Sequence, residues 1–194
     1  FKAFWDPGNR MNPGMIVNPY RVDENLRFVP LMPTRTAFTY PHDAGDFGQA
    51  ARRCIGVAKC RNHSGSVMCP SFQVTGEEKH STRGRARLLY EMLAGEVITD
   101  GWRSTEVRDA LDLCLSCKGC KSDCPVNVDM ATYKAEFLHH HYKRRLRPAS
   151  HYSMGWLPLW LRVASRMPAL ANRTMASPRL SRVLKRLGGI AQER

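Results

Sequence analysis

The sequence predicts a mainly α-helical domain with irregular segments on its N- and C-terminal sides. Apolar residues recur at helical spacing between residues 88 and 138. The seven cysteines fall into two groups whose gaps are typical of metal-ligand motifs rather than of secreted disulfide scaffolds. The formal charge of +13 belongs mostly to the tail of the chain. These observations place a helical, metal-binding part between an irregular beginning and a basic end.

Residues 1–34 contain turn signals and no long helical or strand period. Asp6-Pro7-Gly8 and Asn12-Pro13-Gly14 are both typical of tight turns. These residues would not make a core on their own, and we expect them to pack as short pieces against another part of the protein. Residues 38–40 predict a brief strand before Pro41.

Two helices are predicted before the second cysteine group. Residues 46–54 predict a short helix that Asp46 caps and that delivers Cys54 to a metal site. Another apolar stripe ends at Gly95, a residue favoured just past a helix. The stripe consists of Leu88, Leu89, Met92 and Leu93. The arginines of this helix, which we expect to form a solvated or docking face, are Arg83, Arg85 and Arg87.

Two further helices are predicted beside the second cysteine group. Ser104 can cap the first, and Asp129 can cap the second. The apolar positions of the first are Val107, Ala110, Leu111 and Cys114, with Asp109 and Asp112 pointing away. Those of the second are Met130, Tyr133, Phe137 and Leu138. The triplet His139-His140-His141 is interpreted as a polar helix end, because consecutive residues splay around a helix instead of converging on a metal.

The second cysteine group has the spacing C-x2-C-x2-C-x3-C-P. Its members are Cys114, Cys117, Cys120 and Cys124, followed by Pro125. This spacing is typical of a cuboidal iron–sulfur cluster, in which three thiolates bind one cluster and the fourth reaches a second cluster. A zinc site does not require such a run of short gaps. Cysteines packed this tightly in one loop are also rarely mere core residues.

The first cysteine group aligns with the second. The aligned pairs are Cys54 with Cys114, Cys60 with Cys120, and Cys69-Pro70 with Cys124-Pro125 across a longer loop. Val57 falls where the second group has Cys117. Gly56, Gly65 and Ser66 loosen the loop between Cys54 and Cys69, which must bend closely around inorganic sulfide.

The alignment predicts two cluster sites if each Cys-Pro cysteine crosses to the other cluster. Cys69, Cys114, Cys117 and Cys120 would then hold a [4Fe–4S] cluster. Cys54, Cys60 and Cys124 would hold the other, with apolar Val57 at the fourth position. Three thiolates beside an apolar residue favour a [3Fe–4S] cluster. The alternative is a [4Fe–4S] cluster whose fourth ligand is water or a non-cysteine side chain, with His63 and Asp123 as the nearest candidates.

The basic excess lies in residues 143–194, which hold 12 Lys/Arg against a single acid, Glu193. Residues 1–142 hold 18 basic and 16 acidic side chains and are nearly neutral. The longest uncharged stretch of the tail, residues 148–161, is too short to span a bilayer. With Trp156 and Trp160, the tail could lie on an anionic membrane surface or dock as a linker onto another domain. Nucleic-acid binding is not expected, because no recognised module accompanies the charge.

Cysteines in an odd number at metal spacing fit a reducing compartment, so we expect the protein in the cytoplasm or at its membrane face. The chain begins at Phe1 and carries no signal-peptide pattern. We expect its ends to be cut from a longer protein.

Residues 44–162 resemble the iron–sulfur segment of the large flavin-plus-iron–sulfur D-2-hydroxyacid dehydrogenases that oxidise D-lactate or D-2-hydroxyglutarate. The matching stretches are Cys54-Ile-Gly-Val-Ala-Lys-Cys60, Met68-Cys69-Pro70-Ser71, residues 81–87, and residues 113–125 running into Val128-Asp129-Met130. Residues 1–19 look like the closing stretch of an FAD-linked oxidase C-terminal domain. The cysteine spacing also resembles the iron–sulfur subunit of succinate dehydrogenase, where an apolar residue likewise replaces one cysteine.

The resemblance implies three parts. Residues 1–34 would end an FAD-linked oxidase domain, residues 35–147 would form an α-helical two-cluster ferredoxin-like domain, and residues 148–194 would be a basic amphipathic linker toward a following cysteine-rich domain. Electrons would pass from FAD in the missing domain through two clusters to an acceptor such as a quinone or an electron carrier. The chain would thus be part of an oxidoreductase without itself carrying catalytic residues.

An alternative is the iron–sulfur subunit of a membrane-associated, quinone-linked dehydrogenase complex, such as the anaerobic glycerol-3-phosphate dehydrogenase type. The resemblance of residues 1–19 to a flavin domain argues against it. A third hypothesis, a nucleic-acid-binding protein with a structural cluster or zinc, depends only on the charge of the tail.

Overall fold

The structure is a computed structural model that describes residues 1–24, 31, 33–64 and 67–191. Short helices joined by turns make up this described part, which contains no strand. The mainly α-helical prediction is therefore confirmed, and the strand predicted at residues 38–40 is wrong. Gly65 and Ser66, part of the predicted segment 1–34, and the last three residues of the tail lie outside the described residues.

The described residues form eleven α-helices and four short 3₁₀ helices. The α-helices are α1 (Lys2–Trp5), α2 (Phe47–Arg52), α3 (Pro70–Thr75), α4 (Thr82–Ala94), α5 (Thr105–Asp112), α6 (Gly119–Asp123), α7 (Met130–His141), α8 (Ala149–Gly155), α9 (Leu157–Arg166), α10 (Pro168–Ala176) and α11 (Pro178–Leu187). The 3₁₀ helices are Pro41–Asp43, Lys59–Arg61, Glu78–His80 and Gly101–Arg103. The chain divides into two compact units, Phe1–Tyr133 and Lys134–Arg194.

The helices of the first unit begin at the residues that the capping pattern predicts. The Asp46 carboxylate accepts a hydrogen bond from the Gly48 N–H at 2.8 Å, and the Ser104 hydroxyl accepts one from the Val107 N–H at 3.1 Å. Asp129 accepts from the Thr132 N–H at 3.2 Å before α7. Gly95 follows α4 with a φ of 70°, the left-handed conformation that glycine adopts readily. These predicted boundaries are confirmed.

The core of the first unit forms where α2 and α4 pack together and α5 joins α4. Its large, fully buried apolar side chains are Phe47, Met68, Leu89, Val107, Leu111, Val128 and Met130. The Tyr133 hydroxyl donates to the carbonyl oxygen of Ala50 at 2.8 Å, and the Tyr133 ring packs edge-on against Phe47. These contacts hold together the helix ends from which both cysteine groups emerge.

Arg85 corrects the prediction that the arginines of α4 form a solvated face. Its side chain is buried, with only 2% of the residue exposed, whereas Arg87 is exposed. Arg85 lies four residues before Leu89 and seven before Met92, so it shares the buried face of the helix. Arg83 and Arg87 lie on the opposite face, where their ion pairs with Glu78 and Glu91 form.

The second unit is helical through α8 to α11, which corrects the expectation of an irregular C-terminal segment. None of these four helices buries a residue. The Ser153 hydroxyl donates to the carbonyl oxygen of Gly188 at 2.7 Å and so joins α8 to the end of α11. In the histidine triplet at the end of α7, His141 is buried, so this polar helix end is exposed to solvent only in part. No helix of the described residues is long and apolar enough to cross a membrane.

Candidate iron–sulfur site

The two cysteine groups have the same backbone course. Cys54 lies two residues after α2, and Cys114 lies two residues after α5. In each group the second and fourth residues after that cysteine have a positive φ: Gly56 (81°), Ala58 (66°), Ser116 (53°) and Lys118 (60°). A short helix follows, with Cys60 as the second residue of Lys59–Arg61 and Cys120 as the second residue of α6. The motifs are thus equivalent in backbone conformation as well as in spacing.

Burial follows the same equivalence. Cys54 and Cys114 are half-buried, and the buried cysteines are Cys60, Cys69, Cys120 and Cys124. Val57 is exposed, as is the matching Cys117. None of the seven cysteines forms a disulfide. An ion pair of 2.7 Å between Arg53 and Asp43 fixes the chain immediately before Cys54.

Two separate clefts collect the seven thiols. The three-cysteine cleft is lined by Cys54, Cys60 and Cys124, together with Val57 and Pro125. The four-cysteine cleft is lined by Cys69, Cys114, Cys117 and Cys120, together with Pro70. Each cleft thus combines thiols from both cysteine groups.

The non-cysteine candidates for a fourth ligand lie elsewhere. Neither His63 nor Asp123 lines the three-cysteine cleft. The His63 ring lies 5.2 Å from the ring of Phe72, measured between centroids. The Asp123 carboxylate lies 4.0 Å from the ammonium group of Lys59. Val57 is therefore the side chain that stands in this cleft where the equivalent motif has a thiol.

The N-terminus of α4 points its backbone donors at two of the thiols. The Thr82 N–H donates to the Cys69 sulfur at 2.9 Å, and the Thr82 hydroxyl lies 2.6 Å from the same sulfur. The Arg83 N–H donates to the Cys60 sulfur at 3.4 Å. Such N–H groups at a helix start favour negative charge. Sequence analysis missed Thr82, although its position directly after the capping Ser81 could have indicated the role.

The Cys60 and Cys69 thiols are hydrogen-bonded to each other. This hydrogen bond lowers the pKa of Cys60 to about 6 and raises the pKa of Cys69. Burial raises the pKa of the Cys54 and Cys120 thiols. Cys69 thus lies close to a thiol of the other cleft while lining only its own.

The donor set fits iron–sulfur clusters better than a single metal ion. No three His, Cys, Asp or Glu side chains of the described residues converge closely enough to hold one ion. A cuboidal cluster does not require such convergence, because each thiolate binds a different iron at a corner of the cube. Sulfur donors around a small cleft, with backbone N–H groups aimed at them, are the surroundings that these clusters need.

Arg85 also lines the four-cysteine cleft. Its Nε donates to the carbonyl oxygen of Ala110 at 2.7 Å, and a terminal nitrogen donates to the Ser71 hydroxyl at 2.9 Å. Sequence analysis assigned this arginine to the surface, but its spacing with Leu89 and Met92 carried the signal for burial. A buried cation therefore stands beside four thiols.

Comparison with known proteins agrees with this geometry. Residues 50–128 match the family described as the 4Fe-4S dicluster domain. The chain is 31% identical over 182 residues to a D-2-hydroxyglutarate dehydrogenase of Haemophilus influenzae, covering 76% of this chain and 18% of the relative. It is 31% identical over 218 residues to the Pseudomonas putida protein of the same name, covering 94% of this chain and 22% of the relative.

A shorter match is to the glycolate oxidase iron-sulfur subunit of Escherichia coli, 31% identical over 77 residues, or 40% of this chain and 16% of the relative. The chain thus spans about a fifth of the length of the curated relatives that it matches. No solved structure matches it.

Proposed function

Because residues 50–128 match the 4Fe-4S dicluster domain family, we propose that this chain is the electron-transfer segment of a flavin- and iron–sulfur-dependent D-2-hydroxyacid dehydrogenase. The observation that carries the proposal is the collection of seven thiols into two neighbouring clefts. Two clusters so held can pass single electrons, and this is the chemistry that the clusters supply. The chain's own residues bind, orient and shield them.

The clefts support one assignment of ligands. Cys69, Cys114, Cys117 and Cys120 hold a [4Fe–4S] cluster, and Cys54, Cys60 and Cys124 hold the other. Pro70 and Pro125 redirect the chain after the two cysteines that cross between the motifs. Thr82 and Arg83 donate backbone hydrogen bonds to one thiol of each set, which stabilises thiolates in both.

The second cluster is proposed to be [3Fe–4S]. Val57 lines the three-cysteine cleft at the position where the other motif has Cys117. An isopropyl side chain binds no iron. His63 and Asp123 line neither cleft, which supports three irons over a four-iron cluster with a side-chain ligand.

The rest of the proposed enzyme lies outside this chain. Four relatives are named D-2-hydroxyglutarate dehydrogenase. We propose that residues 1–34 are the C-terminal end of an FAD-linked oxidase domain. FAD in that domain oxidises the D-2-hydroxy acid and passes electrons to residues 35–147. A following cysteine-rich domain and an acceptor, a quinone or an electron carrier, would receive them. The stand-alone subunit of a quinone-linked membrane complex is not favoured by these relatives.

The C-terminal part, residues 148–194, is proposed to be a basic amphipathic linker that also contacts a membrane surface. The sequence from residue 143 to residue 191 contains 11 Lys/Arg and no acidic residue. Large apolar side chains such as Trp156 and Leu184 are about half exposed beside them. Thiols that must remain reduced for cluster binding support a cytoplasmic location, at the membrane face when the tail is bound.

Metal analysis of the anaerobically reconstituted chain tests the proposal. We expect about seven irons per chain, with the EPR signal of an oxidised three-iron cluster and, after dithionite, that of a reduced four-iron cluster. In the longer protein with its flavin domain, D-2-hydroxyglutarate should reduce the clusters under anaerobic conditions. A chain that binds zinc alone, or clusters that no reductant changes, would contradict an electron-transfer role.

A further inference from the structure

Arg85 is a buried cation that has no acidic partner among the described residues. Only 2% of the residue is exposed, and it donates hydrogen bonds to two neutral acceptors, the Ala110 carbonyl and the Ser71 hydroxyl. None of the ion pairs in the part of the chain that the structure describes includes it. The other arginines of α4 differ, because Arg83 pairs with Glu78 and Arg87 pairs with Glu91.

A buried, unpaired guanidinium needs a counter-charge. Arginine stays protonated in proteins, so it cannot relieve its burial by losing a proton. Buried charges are accordingly paired with an opposite charge or bound to a charged group. The four-cysteine cleft that Arg85 lines is where such a group can lie. A four-iron cluster with four thiolate ligands has a net negative charge, which increases by one when the cluster is reduced.

We propose that Arg85 is the buried counter-ion of the four-iron cluster and that its charge raises the reduction potential of this cluster. The proposal rests on the assignment of Cys69, Cys114, Cys117 and Cys120 to that cluster. A nearby positive charge in a poorly hydrated interior favours the more negative, reduced form. Arg85 is thereby a residue that tunes the cluster and does not bind it directly.

Among the described residues, the three-cysteine cleft has no buried charge equivalent to Arg85. Arg83 and Lys59 line that cleft, but their side chains are 36% and 49% exposed, and they lie 2.7 Å from the Glu78 carboxylate and 4.0 Å from the Asp123 carboxylate. Solvent and these carboxylates weaken the field of both cations at the cleft. The backbone donors of α4 do not distinguish the clefts in this way, since Thr82 serves one thiol set and Arg83 the other. Arg85 therefore acts on one cluster of the two.

A purely structural role for Arg85 makes a different prediction. The side chain ties the last turn of α5, through Ala110, to α3, through Ser71. If that link were its whole role, substitutions would change the stability of the protein according to the hydrogen bonds lost. The potential of the cluster would then not depend on whether residue 85 is charged.

Arg85→Gln and Arg85→Lys separate the two roles. Glutamine keeps a donor for the Ala110 carbonyl and removes the charge, whereas lysine keeps the charge and changes the shape. Arg87→Gln is the matched control, because Arg87 is an exposed arginine on the same helix. The full chain of each variant is reconstituted anaerobically, and the four-iron EPR signal is followed through a redox titration. Iron content and thermal unfolding are measured on the same samples.

We expect Arg85→Gln to lower the potential so that the equilibrium constant for reduction falls at least tenfold, about 59 mV for a one-electron couple. Arg85→Lys and Arg87→Gln should stay close to the unsubstituted protein. Loss of the four-iron cluster in Arg85→Gln with retention in Arg85→Lys would also support the proposal.

Other results overturn it. If Arg85→Gln loads the cluster and keeps the original potential, or if neither Arg85 variant loads it while the control does, Arg85 is a structural link. An unsubstituted chain that binds no four-iron cluster contradicts the proposed function itself, which the iron analysis detects before any variant is compared.

Discussion

Val57 stands in the first cysteine motif at the position of Cys117 in the second. Each is followed by a residue of positive φ, Ala58 or Lys118, and each side chain is exposed at a cleft that contains three other matching thiols. Val57 is 60% exposed, so the packing around it constrains its size only weakly. We therefore propose that the choice between valine and cysteine here affects the type of cluster more than the stability of the protein.

Val57→Cys should convert the three-cysteine cleft into a four-thiolate site. A fourth thiolate can bind a fourth iron, so we expect the three-iron EPR signal to disappear and the iron content to rise by about one per chain. The added anionic ligand should also lower the potential of this cluster, because it favours the oxidised core. Iron analysis, EPR and a redox titration of the anaerobic protein measure these three effects.

Val74→Cys is the control for this substitution. Val74 lies on α3, is 87% exposed and lines neither cleft, so a thiol there should leave the cluster content unchanged. If Val57→Cys behaves like Val74→Cys, the two motifs are not equivalent at this position, and the three-iron assignment loses its basis.

The two Cys-Pro cysteines give a second prediction at the scale of single residues. Cys69→Ser should remove the four-iron signal and leave the three-iron signal, and Cys124→Ser should do the reverse, because each thiol lines the cleft of the other motif. Both thiols are buried, so either change should also lower the thermal stability of the loaded protein. EPR of the two variants side by side decides the matter.

The hydrogen bond between Cys60 and Cys69 indicates which result would contradict this ligand assignment. If Cys69 belongs with Cys60, then Cys69→Ser will damage the three-iron signal instead. Such a result would exchange the ligand sets while leaving two clusters in place.

Some properties of single residues could be predicted from the sequence, and others could not. The cysteine spacing was sufficient to align Val57 with Cys117, because a short motif has few possible conformations. The burial of Arg85 was not predicted, because the charge of its side chain suggested exposure. Its spacing with Leu89 nevertheless places it on the buried face of α4. The approach of Cys60 to Cys69 could not be predicted, since the loop between them has no periodicity that fixes its course.

At the scale of elements, the sequence predicted helices wherever a cap and an apolar stripe agreed. Asp46, Ser104 and Asp129 cap the helices that they were expected to cap. The C-terminal helices were less evident, because prolines stand at every tenth residue from Pro148 to Pro178. Each of the last three helices begins with one of these prolines at its first or second position, where proline is tolerated. The prolines, which suggested breaks between helices, thus mark the positions where these helices begin.

Gly84 fixes how closely α4 approaches the 3₁₀ helix Glu78–His80. A Cβ atom at this position would overlap the backbone carbonyl of Glu78, and backbone cannot swing aside as a side chain can. We expect Gly84→Ala to lower the free energy of unfolding by about 1–3 kcal/mol, the usual effect of overpacking. The substitution should also weaken cluster retention, because Thr82 and Arg83 direct the N-terminus of α4 at two thiols.

Gly155→Ala is the matched control for this change. Gly155 ends α8 and has open space where a Cβ would lie, so alanine should leave stability equal or slightly higher. Thermal unfolding and iron retention of the two variants are compared in the same buffer. Equal stability of Gly84→Ala and the unsubstituted protein would show that α4 and the Glu78–His80 turn do not pack as closely as described.

At the scale of the whole molecule, the two units differ in charge and in how they treat apolar side chains. The first unit buries one set of large apolar residues, among them Phe47, Leu89 and Leu111, around the helix ends that deliver the cysteines. The helices α8 to α11 of the second unit bury none, and their sequence has no acidic residue. In α11 the apolar face consists of Leu180, Val183, Leu184 and Leu187, and the basic side chains lie opposite: Arg179, Arg182, Lys185 and Arg186.

An acidic protein surface could neutralise these charges, but a flat anionic lipid surface also accommodates the apolar face. Amphipathic helices with basic and Trp-containing faces lie in the membrane interface, with their apolar side chains below the head groups. Each basic residue near such a surface adds about 1 kcal/mol of attraction. The attraction should weaken strongly with salt, because the screening length falls from about 10 Å at 0.1 M to about 3 Å at 1 M.

The cluster-loaded chain should therefore sediment with vesicles that contain phosphatidylglycerol and remain in solution with vesicles of phosphatidylcholine alone. We expect about 1 M salt to release most of the bound protein. Leu184→Asn, in the apolar face of α11, should reduce binding at low salt. Val74→Asn is the control and should not reduce it, because Val74 is also exposed but belongs to the first unit. Unchanged sedimentation of Leu184→Asn would mean that charge alone drives binding. Absence of binding to both kinds of vesicle would assign the basic helices to a protein partner, and the following domain of the longer protein, added as a separate chain, would be the first to test.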